Sequence, residues 1–237
     1  MSAANQPAAG ASAESNQPIV FLLDCDNTLL DNDALKAYVD TTLTAALGAP
    51  LTARFWAIYE DVRLATDVVN YPATLERFAT VCPDPALAAR ARAVVLDCPF
   101  PRFVYPETLA VLAHLRAIGH PAILSDGDAV YQPEKIARSG LAAAVDGRVL
   151  IYIHKEDHVP EVLAAWPASL YVAVDDKARI LAELKRRDPA RFVTVHVRQG
   201  HYGLDPTPFP PAPDLQLAAI GDLRRYAAAD FWRLRAP

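Results

Sequence analysis

Two aspartates one residue apart, Asp24 and Asp26, close the apolar run in FLLDCDNTLLDND, and Thr28 follows two positions later. Like charges this close repel and raise each other's pKa, so the pair calls for a cation or a proton-transfer task. Comparable groups recur downstream: Ser125, Asp126 and Asp128 in ILSDGD, then the run His154 to Asp157 with Lys155 inside it, then Asp175, Asp176 and Lys177. Several carboxylates, hydroxyls and a lysine brought to one edge would suit Mg²⁺, a hard cation that takes oxygen ligands and attracts the oxygens of a phosphate.

Those groups need a scaffold. IVFLL, Ile19 to Leu23, is continuously apolar and reads as a strand buried on both faces. Helical patterns follow. Asn32 can cap a helix carrying Leu35, Val39, Leu43 and Leu47 that stops at Gly48; Thr52 can cap a second with Phe55, Ile58, Tyr59 and Val62 on one face. Pro72 to Val81 and Pro85 to Leu96 make two more. Past Pro101 the pattern alternates, with strands predicted over 121–124, 149–153, 170–174 and 192–197 and helices over 107–118, 133–139, 160–165 and 177–186. This order predicts a doubly wound α/β domain with a parallel sheet, whose ligands bind at the carboxyl ends of the strands. Each chemical cluster falls at such an end. The expected division is a tail over 1–17, an α/β core over 18–32 and 100–237, and an all-helical insert over 33–99.

The chain has 237 residues, of which 52% are hydrophobic and 22% charged, with a formal net charge of -5. That balance favours neither nucleic acid nor an anionic membrane surface as partner, so positive charge for an anionic substrate must be placed locally. The opening 17 residues have no basic segment followed by an apolar core, and read as a disordered tail rather than a signal peptide. No apolar stretch reaches the roughly 20 residues a membrane-spanning helix needs. Cys25, Cys82 and Cys98 are odd in number with no CxxC spacing, which fits reduced thiols in a cytoplasmic protein.

Plainer readings compete at several positions. Lys135 is expected on a solvated helix face, Cys25 is expected to point away from its flanking aspartates into the packing, and residues 198–202 read as a surface loop. Arg63, Asn70 and Tyr71 fit a solvated helix face or connecting loop. His154 and His158 are four apart, but Lys155 stands where a zinc-protease helix needs Glu.

Taken in order, DCDNT, Ser125, Lys155 and the pair Asp175-Asp176 resemble the four motifs of the haloacid dehalogenase-like hydrolase superfamily, and the helical block sits where that family inserts a cap. The resemblance runs from Val20 onward. It implies Asp24 as nucleophile, forming an aspartyl-phosphate, and Asp26 as general acid and then base, with its backbone carbonyl on the metal. It further implies Thr28 hydrogen-bonded near Asp26, Ser125 and Lys155 on the phosphoryl oxygens, and Mg²⁺ held by Asp24, Asp26 and Asp176, with Asp175 as second candidate. Dehalogenases of this superfamily lack an acid at the position of Asp26, so its presence points to a phosphatase of a small phosphorylated metabolite. A phosphomutase or phosphotransferase, a phospho-acceptor of the response-regulator type, or a silent binding scaffold are the alternatives. Two departures stand out: the fourth motif is VDDK instead of GDxxxD with Ile180 in the last position, and the second is SDGD, which brings Asp128 forward as a further metal candidate.

Overall fold

A computed structural model describes residues 18–235; the expected tail over 1–17 lies outside them. Six strands form one sheet: β1 (Ile19–Leu23), β2 (His120–Asp126), β3 (Val149–Tyr152), β4 (Leu170–Asp175), β5 (Phe192–Val197) and β6 (Leu215–Leu217). They are parallel throughout, in the order β3-β2-β1-β4-β5-β6. β1 is central and fully buried, because its residues are apolar on both faces: Ile19, Phe21 and Leu23 join one core, Val20 and Leu22 the other. The second face is covered by α8 (Val159–Ala165) and α9 (Ala178–Arg187), which contribute Val162, Ile180, Leu181 and Leu184. On the first face lie α5 (Thr108–Ile118), α6 (Tyr131–Arg138), the short α7 (Leu141–Ala144) and α11 (Ala228–Leu234), where Phe231 meets Phe21 edge to face at 5.2 Å. This is the doubly wound architecture the periodicity implies.

Four helices are inserted after β1: α1 (Asn32–Leu47), α2 (Ala49–Thr66), α3 (Tyr71–Val81) and α4 (Pro85–Leu96). The α1 residues Leu35, Val39 and Leu43 repeat every four positions and are buried. Its cap is Asp31, which accepts from Ala34 N at 2.8 Å, one residue before the expected Asn32. Gly48, at φ +81, turns the chain into α2, where the expected cap Thr52 lies inside the helix and donates to Gly48 O. Asn70 caps α3 through Ala73 N and so serves the backbone. Phe55 and Phe78 meet edge to face at 5.5 Å in the centre of the insert, and the ring series Tyr59, Tyr71, Tyr131, Phe100 runs from it into the α/β core. Where the insert leaves and rejoins the sheet domain the two chain segments bond to each other: Leu30 bridges Val104, Asp31 N donates to Phe103 O at 2.7 Å, and Tyr105 N donates to Leu29 O at 3.0 Å. No described helix is long and apolar enough to cross a membrane.

Candidate active site

β1 is flanked by β2 and β4 in parallel register, with Leu23 level with Ile123 and Val174; β1 stops there, β4 runs one residue further to Asp175 and β2 three further to Asp126. Asp24 N continues the ladder to Val174 O at 2.9 Å, which places the Asp24 carboxylate beside the end of β4. Lys155 enters from the turn after β3, fixed by its backbone N–H on Asp126 Oδ1 at 2.9 Å. Its fully buried ammonium lies 2.5 Å from Asp24 Oδ1, 2.7 Å from Asp175 Oδ2 and 3.1 Å from the Leu124 carbonyl. Burial works against that charge, but Asp175 and Asp24 outweigh it and hold Lys155 well above the ordinary lysine value.

Asp24, Asp175 and Asp176 are all buried and bring one oxygen each within 4.8 Å of one another. Asp175 is engaged on both oxygens, by Lys155 and by Lys177 N at 2.8 Å. Asp24 Oδ2 and both Asp176 oxygens have no partner at all. Burial, reinforced by Asp175, pushes the Asp176 carboxyl up to about 9; burial likewise lifts Asp24 to about 7 against the pull of Lys155. Ionising all three carboxyls would leave negative charge that the one ion-paired lysine does not balance.

Asp26 faces a different way, into a cavity of about 480 Å³ between the strand ends and the insert. Its Oδ1 pairs with Lys135 Nζ at 2.5 Å, and its Oδ2 accepts from Gln132 Nε2 at 3.3 Å. Gln132 also donates to Ser125 Oγ at 2.9 Å. The structure thus corrects the expectation for Lys135, which is 2% exposed and turned inward by α6 instead of lying on a solvated face. Thr28 is buried, yet its hydroxyl has no hydrogen-bond partner, so it does not fix Asp26 as expected. Asp128 is no part of the acidic cluster either: its Oδ1 accepts from Val130 N and Tyr131 N and starts α6. Cys25 is fully buried in the core, as its alternation implies.

The insert supplies Tyr59, Arg63 and Tyr71 to the cavity wall, and the loop after β5 supplies His201 and Tyr202. That loop carries α10 (Gly200–Gly203) and is bound to the segment leading into the insert: His201 N and Nδ1 contact Asp33 at 2.9 and 2.7 Å, and Asn27 Nδ2 donates to Asp33 Oδ1 at 3.2 Å. Of residues 198–202, His201 and Tyr202 are therefore cavity wall as well as surface. His154 pairs with Asp67 across the cavity at 2.7 Å, while His158 stacks on Tyr152, so the two histidines share no metal geometry. Lys177 lines the cavity with no carboxylate in ion-pair contact and lies 5.4 Å from the Tyr202 ring centroid. Lys135 and Gln132 belong to none of the motifs, and Lys177 closes the fourth without a role assigned to it. Only Lys177, next to the acidic pair, carried a positional signal.

A family model described as haloacid dehalogenase-like hydrolase matches residues 21–195. The chain belongs to this family of hydrolases. A haloacid dehalogenase-like hydrolase from Burkholderia xenovorans LB400 is 46% identical, superposes with a TM-score of 0.83, and its match covers 91% of this chain and 99% of its own. The L-2-haloacid dehalogenase of Xanthobacter autotrophicus with chloropropionic acid covalently bound, 21% identical with a TM-score of 0.57, aligns over 87% of this chain and 96% of its own. A HAD-hydrolase of Bacillus subtilis bound to magnesium, 12% identical with a TM-score of 0.57, aligns over 89% and 98% respectively. The last two share the fold. No curated protein matches.

For a haloacid dehalogenase-like chain the question is whether these residues fit Mg²⁺. They do: the donors are hard carboxylate oxygens, and within the cluster one Asp24 oxygen and both Asp176 oxygens are buried without a partner, where ordinary packing would leave none.

Proposed function

We propose that this hydrolase is a Mg²⁺-dependent phosphatase acting on a small phosphorylated metabolite through an aspartyl-phosphate on Asp24. The observation that carries this reading is Asp26: a second carboxylate stands at the cavity wall, apart from the acidic cluster and held on both oxygens, where a leaving oxygen would need a proton. Displacement of a halide needs no such acid.

Asp24, Asp176 and the Asp26 backbone carbonyl would hold the cation, with Asp175 beside them tied to Lys155. When bound, Mg²⁺ neutralises the cluster and draws in the phosphoryl oxygens. An Asp24 oxygen attacks phosphorus as the bond to the leaving oxygen breaks, and that oxygen takes the proton from Asp26. Asp26 then removes a proton from water as the water attacks the aspartyl-phosphate, releasing inorganic phosphate and restoring Asp24. Lys155, on Asp24, and Ser125, at the end of β2, are both buried and hold the phosphoryl oxygens as charge shifts between them. The helical insert acts as a cap that keeps water away, and the cavity of about 480 Å³ has room for a metabolite, not a macromolecule.

The test is hydrolysis of p-nitrophenyl phosphate by the purified protein with Mg²⁺, in parallel with halide release from chloropropionate. Phosphate release that EDTA and Asp24→Asn both reduce to background is expected. Halide release without phosphate release would overturn the reading.

A further inference from the structure

Asp26 follows a strand end, is followed by Asn27 at φ +58, and its side chain is 28% exposed; its carboxylate oxygens bond to no group of its own segment. Both its oxygens are instead taken up from α6, by Gln132 and Lys135, which are three residues apart and share one helix face. Lys135 is buried with no other carboxylate in contact; its remaining polar neighbour is Asn32 Oδ1 at 3.5 Å. Burying a lysine is costly, and a lone partially exposed ion pair returns little stability for it. Gln132 bridges the same carboxylate to Ser125 Oγ at 2.9 Å.

We propose that Gln132 and Lys135 are positioning residues for proton transfer, clamping the Asp26 carboxylate toward the leaving oxygen and locking it in register with Ser125. This rests on the phosphatase reading. As the phosphorus–oxygen bond breaks, the Asp26 proton passes to the departing oxygen, and the carboxylate left behind is matched by the Lys135 ammonium. The clamp therefore matters in proportion to how much the leaving group needs a proton. An alkoxide needs it, whereas a dinitrophenolate departs without it.

The experiment compares glycerol phosphate with dinitrophenyl phosphate, both with Mg²⁺, for the wild type and for Lys135→Met, Lys135→Arg and Gln132→Met. The expected result for Lys135→Met is a kcat on glycerol phosphate lower by about 10²-fold, with KM little changed and dinitrophenyl phosphate turnover nearly intact. Lys135→Arg restores part of the loss, and Gln132→Met shifts the ratio the same way by a smaller factor. Gln132→Met leaves no buried charge unpaired, so it decides the matter where Lys135→Met fails to fold. Equal losses on both esters, or a rise in KM alone, would overturn the clamp while leaving the phosphatase reading intact. A wild type inactive on both esters overturns the two together.

Discussion

Thr28 is an unusual residue in this site: fully buried, with a hydroxyl that bonds to nothing. Replacing an unpaired buried hydroxyl by a methyl removes a desolvation cost, so Thr28→Val is expected to melt at or above the wild-type temperature in a thermal scan. If the hydroxyl waits for a substrate oxygen, the same variant loses turnover by about 10²-fold in the p-nitrophenyl phosphate assay. A drop in melting temperature would show instead that the hydroxyl has a structural partner. Residues of this kind, immediately after a strand, could be read from the sequence because a parallel strand exports its last positions to a known edge. Asp24, Lys155 and Asp176 come together for that reason. Lys135 was misread because its role depends on which way α6 is rolled, and that is settled by Tyr131 and Ile136 packing on the core rather than by local pattern. Asp128 was misread for the opposite reason: an aspartate three residues before the first residue of a helix serves the nearest free N–H groups first.

At the scale of elements, α10 is held against the segment that leads into the helical insert. Gly200 stands at φ +63, and a Cβ there would lie 2.4 Å from the Asn27 side chain, which itself orders Asn32 N and Asp33 N. Gly200→Ala therefore combines backbone strain with displacement of Asn27, next to Asp26. Loss of about 1–3 kcal/mol in urea denaturation is expected, together with lower turnover. An unchanged midpoint would mean that the loop yields. Seven of the helices and five of the strands were legible within a residue or two, because their apolar periods are long and their ends carry Gly, Pro or Asp. β6 and α11 were not. β6 is three residues in a proline-rich stretch and exists by pairing with β5, while α11 is short and is held by Phe231 against Phe21.

For the whole molecule, the acidic cluster couples folding to pH and, on the phosphatase reading, to metal. Burial raises the folded carboxyls of Asp24 to about 7 and Asp176 to about 9, from an ordinary value of 3.8. Between those values the folded chain binds more protons than the unfolded chain, so stability of the metal-free protein falls as pH rises, from about pH 4 to about pH 9. On the phosphatase reading, Mg²⁺ would bind the ionised cluster and oppose that loss. In EDTA the melting temperature should therefore fall as pH is raised from about 6 to about 9, and saturating Mg²⁺ should raise it more at the higher pH. A Mg²⁺ shift that is zero at both would remove the cluster from metal binding.

The bonds that join Leu29–Asp31 to Phe103–Tyr105 have a topological meaning. Seen from the sheet, everything between them is the loop of a single hairpin, closed at its neck by backbone pairing, so the entropy of holding the two ends together is met outside the loop itself. A short turn from Asp31 to Phe103 would leave every strand crossover of the α/β domain in place. The neck is a natural splice point, at which one lineage could exchange its helical loop for another and keep the same carboxylates beneath a differently shaped roof.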